Sequence, residues 1–170
     1  MLGSMNTLAF DTCFGACSVG VTWRENGGGV WRGAFRRDLL ARGHAERLMP
    51  MIAEAMAEAP FGFEGLQRLV VTDGPGTFTG QRVGIAAARA LSLATGASVH
   101  VLSSLAVMAY GAAETLADEA AGRIIAVAVD ARRGEVYFQA FEGAGFAALG
   151  EPELLTPAEA VQRLGGRSAV

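Results

Sequence analysis

The chain has 170 residues, 51% of them hydrophobic and 18% charged, with a mean hydropathy of +0.31. That length and composition allow one domain or two small lobes with real cores, and exclude a disordered chain. A net charge of −3 lacks the basic surplus of a strong nucleic-acid binder.

The opening MLGSM resembles an expression scar before a start at Met5. Residues 7–13, TLAFDTC, read as a strand ending in an acid, and 17–23, CSVGVTW, as a second, alternating and β-branched strand. Residues 27–37, GGGVWRGAFRR, give a Gly-rich turn and a third. Strands this close together predict antiparallel hairpins. The period then changes: Leu48, Ile52, Ala55 and Met56 recur at helical spacing over 44–58, with Pro50 placed to kink the helix. LQRLVVTD (66–73) is a short buried strand. A glycine turn follows, then a helix over about 79–94, a strand over 98–103, and a helix over 104–117 with Leu105, Met108 and Ala112 on one side.

The pattern then restarts. Residues 123–142 predict two strands around a turn at Arg132-Arg133-Gly134, and FAALGEPELLT predicts a third extended run. Thr156, Pro157 and Glu159 form the start of a capped helix. The last residues, GRSAV, read as the opening of another strand, so the second half is expected to be incomplete. Each half begins with a strand carrying an Asp, AFDT at Asp11 and AVDA at Asp130. This weak doubling fits a two-lobed α/β fold, divided here as 5–103 and 104–170.

Val83–Val99, the longest weakly charged stretch, is broken by Arg89, Ser92, Thr95 and Gly96 and reads as a buried helix, not a membrane span. Arg36, Arg37, Arg42 and Arg47 read as a solvated face in preference to a basic patch. Cys13 and Cys17 make neither a disulfide framework nor a zinc site, which points to a reducing cytoplasm.

The turn GPGTFTGQRVGIAAARA invites a nucleotide-loop reading. Gly74, Gly76 and Gly80 miss the dinucleotide fingerprint, because Thr79 stands where the third glycine belongs, and no lysine follows as a Walker loop needs. Two readings remain: a glycine-lined helix start that holds an anion, or a strand-to-helix joint built for packing. The joint is preferred. Gly80, Gly84, Ala87, Ala88 and Leu91 leave one side of the following helix nearly bare, suited to core packing or to an interface. A metal site at His44 would want a second ligand one turn on, where Leu48 stands. No G-x-S-x-G occurs, and neither cysteine has an evident base. Asp11, Asp73 and Asp130 at strand ends fit metal-phosphate organisation and loop capping equally.

Four segments together, LAFDTCFGACSVGV, HAERLMPMI, GPGTFTGQRVGIAAARAL and VDARRGEVYF, resemble the TsaB (YeaZ) family across residues 8–138. The long glycine motif is the specific one. Departures from the usual family forms are Cys13, Ala45 and Thr77 in place of Ser, and Gln81 in place of Leu. The resemblance implies an actin-like ATPase fold (the ASKHA, ribonuclease H-like class) with two lobes and mixed sheets. It implies a noncatalytic cytoplasmic subunit that binds TsaD, the paralogue carrying the metal-binding H-x-x-x-H helix, in N6-threonylcarbamoylation of adenosine 37 of tRNAs reading ANN codons. TsaE would join that heterodimer, tRNA would be met only through the complex, and a homodimer would form in isolation. No cofactor or metal is required by this chain, and ATP or ADP is admitted only at the complex interface. On this reading the helix from His44 and the helix after Gly80 form the partner face: His44, Glu46, Leu48, Ile52, Gly80, Arg82, Val83, Ala87 and Leu91. Asp11, Thr12, Gly74, Gly76 and Thr77 are the candidate nucleotide or anion contacts. The alternative is a self-sufficient ATP-binding hydrolase, or a glycoprotease-like peptidase, of the same fold.

Overall fold

A computed structural model describes residues 5–25, 29–116, 122–143 and 145–165. The chain divides into two compact units, Met1–Leu102 and Ser103–Val170. The first residues of the Gly-rich turn expected from residue 27, and the strand expected over 166–170, lie outside the described residues.

In the first unit, β1 (Thr7–Asp11), β2 (Ala16–Arg24) and β3 (Trp31–Leu39) form an antiparallel meander. Then come α1 (His44–Met56), a 3₁₀ turn at Phe63–Gly65, β4 (Arg68–Gly74), α2 (Phe78–Thr95) and β5 (Ser98–Ser103). β4 returns parallel to β1, which requires the α1 crossover, and the five-stranded sheet runs β3-β2-β1-β4-β5. Antiparallel meander, helical crossover and parallel return make this the mixed sheet of the actin-like ATPase fold.

The pleat decides the core. Leu8 and Phe10, Val19 and Val21, and Leu69 and Val71 alternate onto one face, where α1 adds Leu48, Met51, Ile52 and Ala55 and α2 adds Ala88 and Leu91. Each large apolar side chain buried there contributes roughly 1.5–3 kcal/mol relative to exposure. Trp23 closes one end edge-on against Phe61, with ring centroids 6.2 Å apart. α1 continues through Pro50, which lies on its exposed side. α2 starts one residue earlier than its periodicity predicts because its cap is Thr77, whose hydroxyl accepts from the Gly80 amide at 3.2 Å.

The arginine run is partly neutralised. Arg47 reaches Asp38 at 2.5 Å and Glu54 at 2.7 and 3.0 Å, and Arg36 pairs with Glu58. The Arg47 guanidinium holds the Glu54 carboxyl below its ordinary range. Exposed pairs of this kind fix side chains more than they stabilise the fold.

In the second unit, α3 (Ser104–Leu116) packs against an antiparallel sheet of β6 (Ile124–Arg132), β7 (Glu135–Glu142) and β8 (Glu153–Leu155). α4 (Pro157–Leu164) follows with a complete capping box. Glu159 Oε2 accepts from the Thr156 amide at 2.8 Å, while Thr156 Oγ1 accepts from the Glu159 amide at 3.3 Å. α3 buries Leu105, Ala109 and Ala113, an i, i+4, i+8 row, where Leu105, Met108 and Ala112 are expected from the sequence. The third extended run shrinks to β8 and an isolated bridge between Phe141 and Ala148. Among the described residues no helix is long and apolar enough to cross a membrane.

Candidate functional site

β1 and β4 lie side by side with Phe10 paired to Val71, so one residue further on Asp11 and Thr72 meet. Asp11 Oδ1 accepts from the Cys13 amide at 3.0 Å and from the Thr72 hydroxyl. The Cys13 thiol donates to that same hydroxyl at 3.3 Å. The start of α2 then closes over the loop. The Thr77 amide donates to the Cys13 carbonyl at 2.7 Å, and the Thr12 hydroxyl, 1% exposed, donates to the Gly80 carbonyl at 2.6 Å. These approaches require glycine. A Cβ on Gly76 would stand 2.5 Å from the Cys13 carbonyl oxygen, and one on Gly80 would overlap the Thr12 carbonyl. The glycine turn is therefore a packing joint that presses the helix start onto the end of β1.

All five proposed anion contacts fall in or beside this joint, where the side chains of Asp11, Thr12 and Thr77 bond within the chain. Asp11 serves the Cys13 amide and Thr72, Thr12 serves Gly80, and Thr77 caps its own helix. The Gln81 amide covers Gly74 and reaches the Gly76 carbonyl at 3.5 Å. Asp11 and Asp73 also make the local field negative, and both push the Cys13 thiol in the raising direction.

Neither cysteine is built as a nucleophile. Burial, as the largest cause, pushes Cys13 up to about 12 and Cys17 up to about 11. Both thiols are expected to resist a thiol reagent at pH 8 in the native chain and to react at once in denaturant, as a timed labelling assay reads. The linkage sign follows from raised folded-state values. The stability due to these neutral thiols is complete below 9.0, their value outside the fold, and declines as pH climbs towards 12. Rapid native labelling of either cysteine at pH 8 would contradict this.

His44 opens α1 and is largely buried. Its Nε2 faces the Phe14 carbonyl at 2.8 Å, and since a carbonyl only accepts, the ring nitrogen donates there. Leu48, one turn on, is in the core. The pair pins the β1–β2 turn to α1. Among the described residues no group of three or more His, Cys, Asp or Glu is placed to hold a metal.

The two helices place the expected partner residues unequally. Leu48, Ile52 and Leu91 are spent on the chain's own core, and His44 and Gly80 are buried. Val83 and Ala87 are partly buried against that core, while Glu46 and Arg82 are exposed. The open stripe of α2 is carried instead by Phe78, Arg82, Ala86, Ala90 and Leu93, with Phe78 65% and Leu93 90% exposed. The Arg82 guanidinium stacks 3.6 Å from the Phe78 ring centre. α1 lies beside α2 and adds Ala45, Met49 and Ala53 to the open surface. Helical periodicity alone reports apolar positions and does not separate those turned inward from those turned out.

Residues 37–163 match the family described as TsaD: tRNA N6-adenosine threonylcarbamoyltransferase. The chain is 30% identical to the solved structure of YeaZ from Pseudomonas aeruginosa, with a TM-score of 0.75, covering 90% of this chain and 68% of that one. The chain belongs to the TsaB (YeaZ) family. It is 36% identical over 135 residues to the tRNA threonylcarbamoyladenosine biosynthesis protein TsaB of Haemophilus influenzae, covering 79% of this chain and 53% of the relative. The corresponding protein of Escherichia coli is 35% identical over 138 residues, covering 81% and 55%. The chain thus spans about half the length of the curated relatives it matches. Within this family member, sequence reasoning passed over Thr72, the hydroxyl that ties Asp11 to Cys13, and the outward residues Phe78, Ala86, Ala90 and Leu93. Thr72 carried a usable signal, since it precedes Asp73 at the end of the strand that leads into the glycine motif.

Proposed function

We propose that the chain serves tRNA threonylcarbamoyladenosine formation as a noncatalytic subunit, binding TsaD and supporting N6-threonylcarbamoylation of adenosine 37 in tRNAs reading ANN codons. The observation that carries this reading is the fate of the reactive side chains. Asp11, Cys13, Thr72 and His44 are each engaged within the fold, and Leu48 stands where a second metal ligand would be needed. What the first unit offers to a partner is the joint surface of α1 and α2, with small residues that let a helix approach and apolar residues that reward it. ATP or ADP belongs at the complex interface, TsaE joins the pair, and two copies of this chain meet through the same helices when TsaD is absent.

Light scattering tests the reading: the chain alone, then with TsaD added. The expected result is a self-associated species that gives way to a one-to-one heterodimer. A mass for the mixture equal to the two proteins unassociated would overturn it.

A further inference from the structure

The sheet of the first unit carries α1 and α2 on one face, the side to which Val19, Val21, Trp23 and Ala34 point. Their neighbours in the pleat point the other way. There the register sets Arg24 opposite Trp31, Gly20 opposite Phe35, and Ser18 opposite Arg37. This end of the face is open: Trp31, Phe35 and Leu39 keep 52%, 62% and 76% of their surface. The Arg24 guanidinium lies 5.1 Å from the Trp31 ring centre. Phe35 lies over Gly20, where an added Cβ would stand 3.7 Å from the ring, an ordinary contact distance.

The charge of this region opposes that of the chain. Residues 24–42 hold Arg24, Arg32, Arg36, Arg37 and Arg42 against Glu25 and Asp38, a local surplus of three positive charges in a chain of net −3. Arg32 and Arg36 are paired with Glu25 and Glu58 on the strand's other side. Among the described residues, Arg24 and Arg37 on the open face have no carboxylate partner.

We propose that this open face of β2 and β3 contacts single-stranded RNA, with bases stacked on Trp31 and Phe35 and phosphates met by Arg24 and Arg37. Exposed aromatic rings on a sheet, interleaved with arginines, are what unpaired bases and their backbone require. A second copy of this chain is disfavoured as the occupant, because arginines along an edge strand repel a like-charged strand and blunt edge pairing. The inference deepens the tRNA-modification reading, on which it rests for the choice of RNA as ligand. It departs from the expectation that tRNA is met only through the complex.

The test is fluorescence anisotropy of a labelled 12-nucleotide unstructured RNA titrated with the chain. Intrinsic tryptophan emission is read in parallel, and TsaD pairing is measured on the same samples. Trp31→Ala is expected to weaken RNA binding roughly ten-fold or more. Arg37→Gln is expected to reduce the salt slope by about 0.7. RNA should quench the exposed Trp31, with the buried Trp23 left as residual signal. Thermal melts of both variants should match the parent, since these side chains pack against little. Undetectable RNA binding by the parent chain, or equal affinity in parent and both variants, would overturn the proposal. So would loss of TsaD pairing in the variants with RNA affinity unchanged, which makes the face a protein contact. Should the parent chain bind RNA through Trp31 yet ignore TsaD, the RNA face stands and the proposed function falls.

Discussion

Gly80→Ala is expected to destabilise the first unit by about 3 kcal/mol, although the position is in a helix, where replacing glycine by alanine normally gains up to about 1 kcal/mol. The sign is set by contact. The added Cβ would overlap the Thr12 carbonyl, a backbone atom that cannot swing aside, and would come 2.7 Å from the Thr77 hydroxyl that caps α2. Relieving the overlap means lifting α2 off the end of β1. That breaks the Thr12–Gly80 hydrogen bond and loosens the packing of Ala88 and Leu91. For a chain of this size the loss corresponds to a melting temperature lower by roughly 6–12 °C. Gly111→Ala in α3 is the control. Nothing lies within 4 Å of its added Cβ, so it should be neutral or stabilising. Calorimetry on both variants checks the pair. A Gly80→Ala chain that melts with the parent would show that the joint is not the close contact described.

Ala90→Glu is expected to weaken pairing with TsaD at least about 30-fold while leaving the melting temperature of the isolated chain within a degree or two. Ala90 lies on the open stripe of α2 between Ala86 and Leu93, so a glutamate there is solvated in the free chain. In a helix–helix contact it would be buried without a partner, at a cost of about 2 kcal/mol or more. Val83 and Ala87 are poorer probes, because both also pack against the chain's own core and their loss would mix folding with binding. Isothermal titration of TsaD into parent and variant separates the two. Unchanged affinity would remove the open stripe of α2 from the partner surface.

The two-lobed plan was legible because alternation and helical period are local signals. β1 to β4 and α1 follow from where Val, Leu, Ile and Gly fall along the chain. Asp11 and Asp130 were legible as a repeated device, and the structure gives the device its content. Each carboxylate accepts from the backbone amide two residues on, Cys13 at 3.0 Å and Arg132 at 2.7 Å. The purpose of the glycines was not legible. Whether a glycine serves a ligand or a close backbone approach depends on what stands opposite, and Gly80 faces Thr12, sixty-eight residues away in sequence. Direction was hidden in the same way. Leu48, Ile52 and Leu91 were assigned to a partner face by the family resemblance, yet they are the residues the core consumes.

Reconstituted threonylcarbamoylation of tRNA with TsaD and either the parent chain or Asp11→Asn tests the noncatalytic reading most directly. Asparagine keeps the oxygen that accepts from the Cys13 amide and from Thr72, so the joint is retained while the carboxylate charge is removed. The account predicts product formation within about two-fold of the parent, since an accelerating group is worth roughly 100-fold or more. A loss of that size, with the heterodimer intact, would place Asp11 in the chemistry and contradict the account.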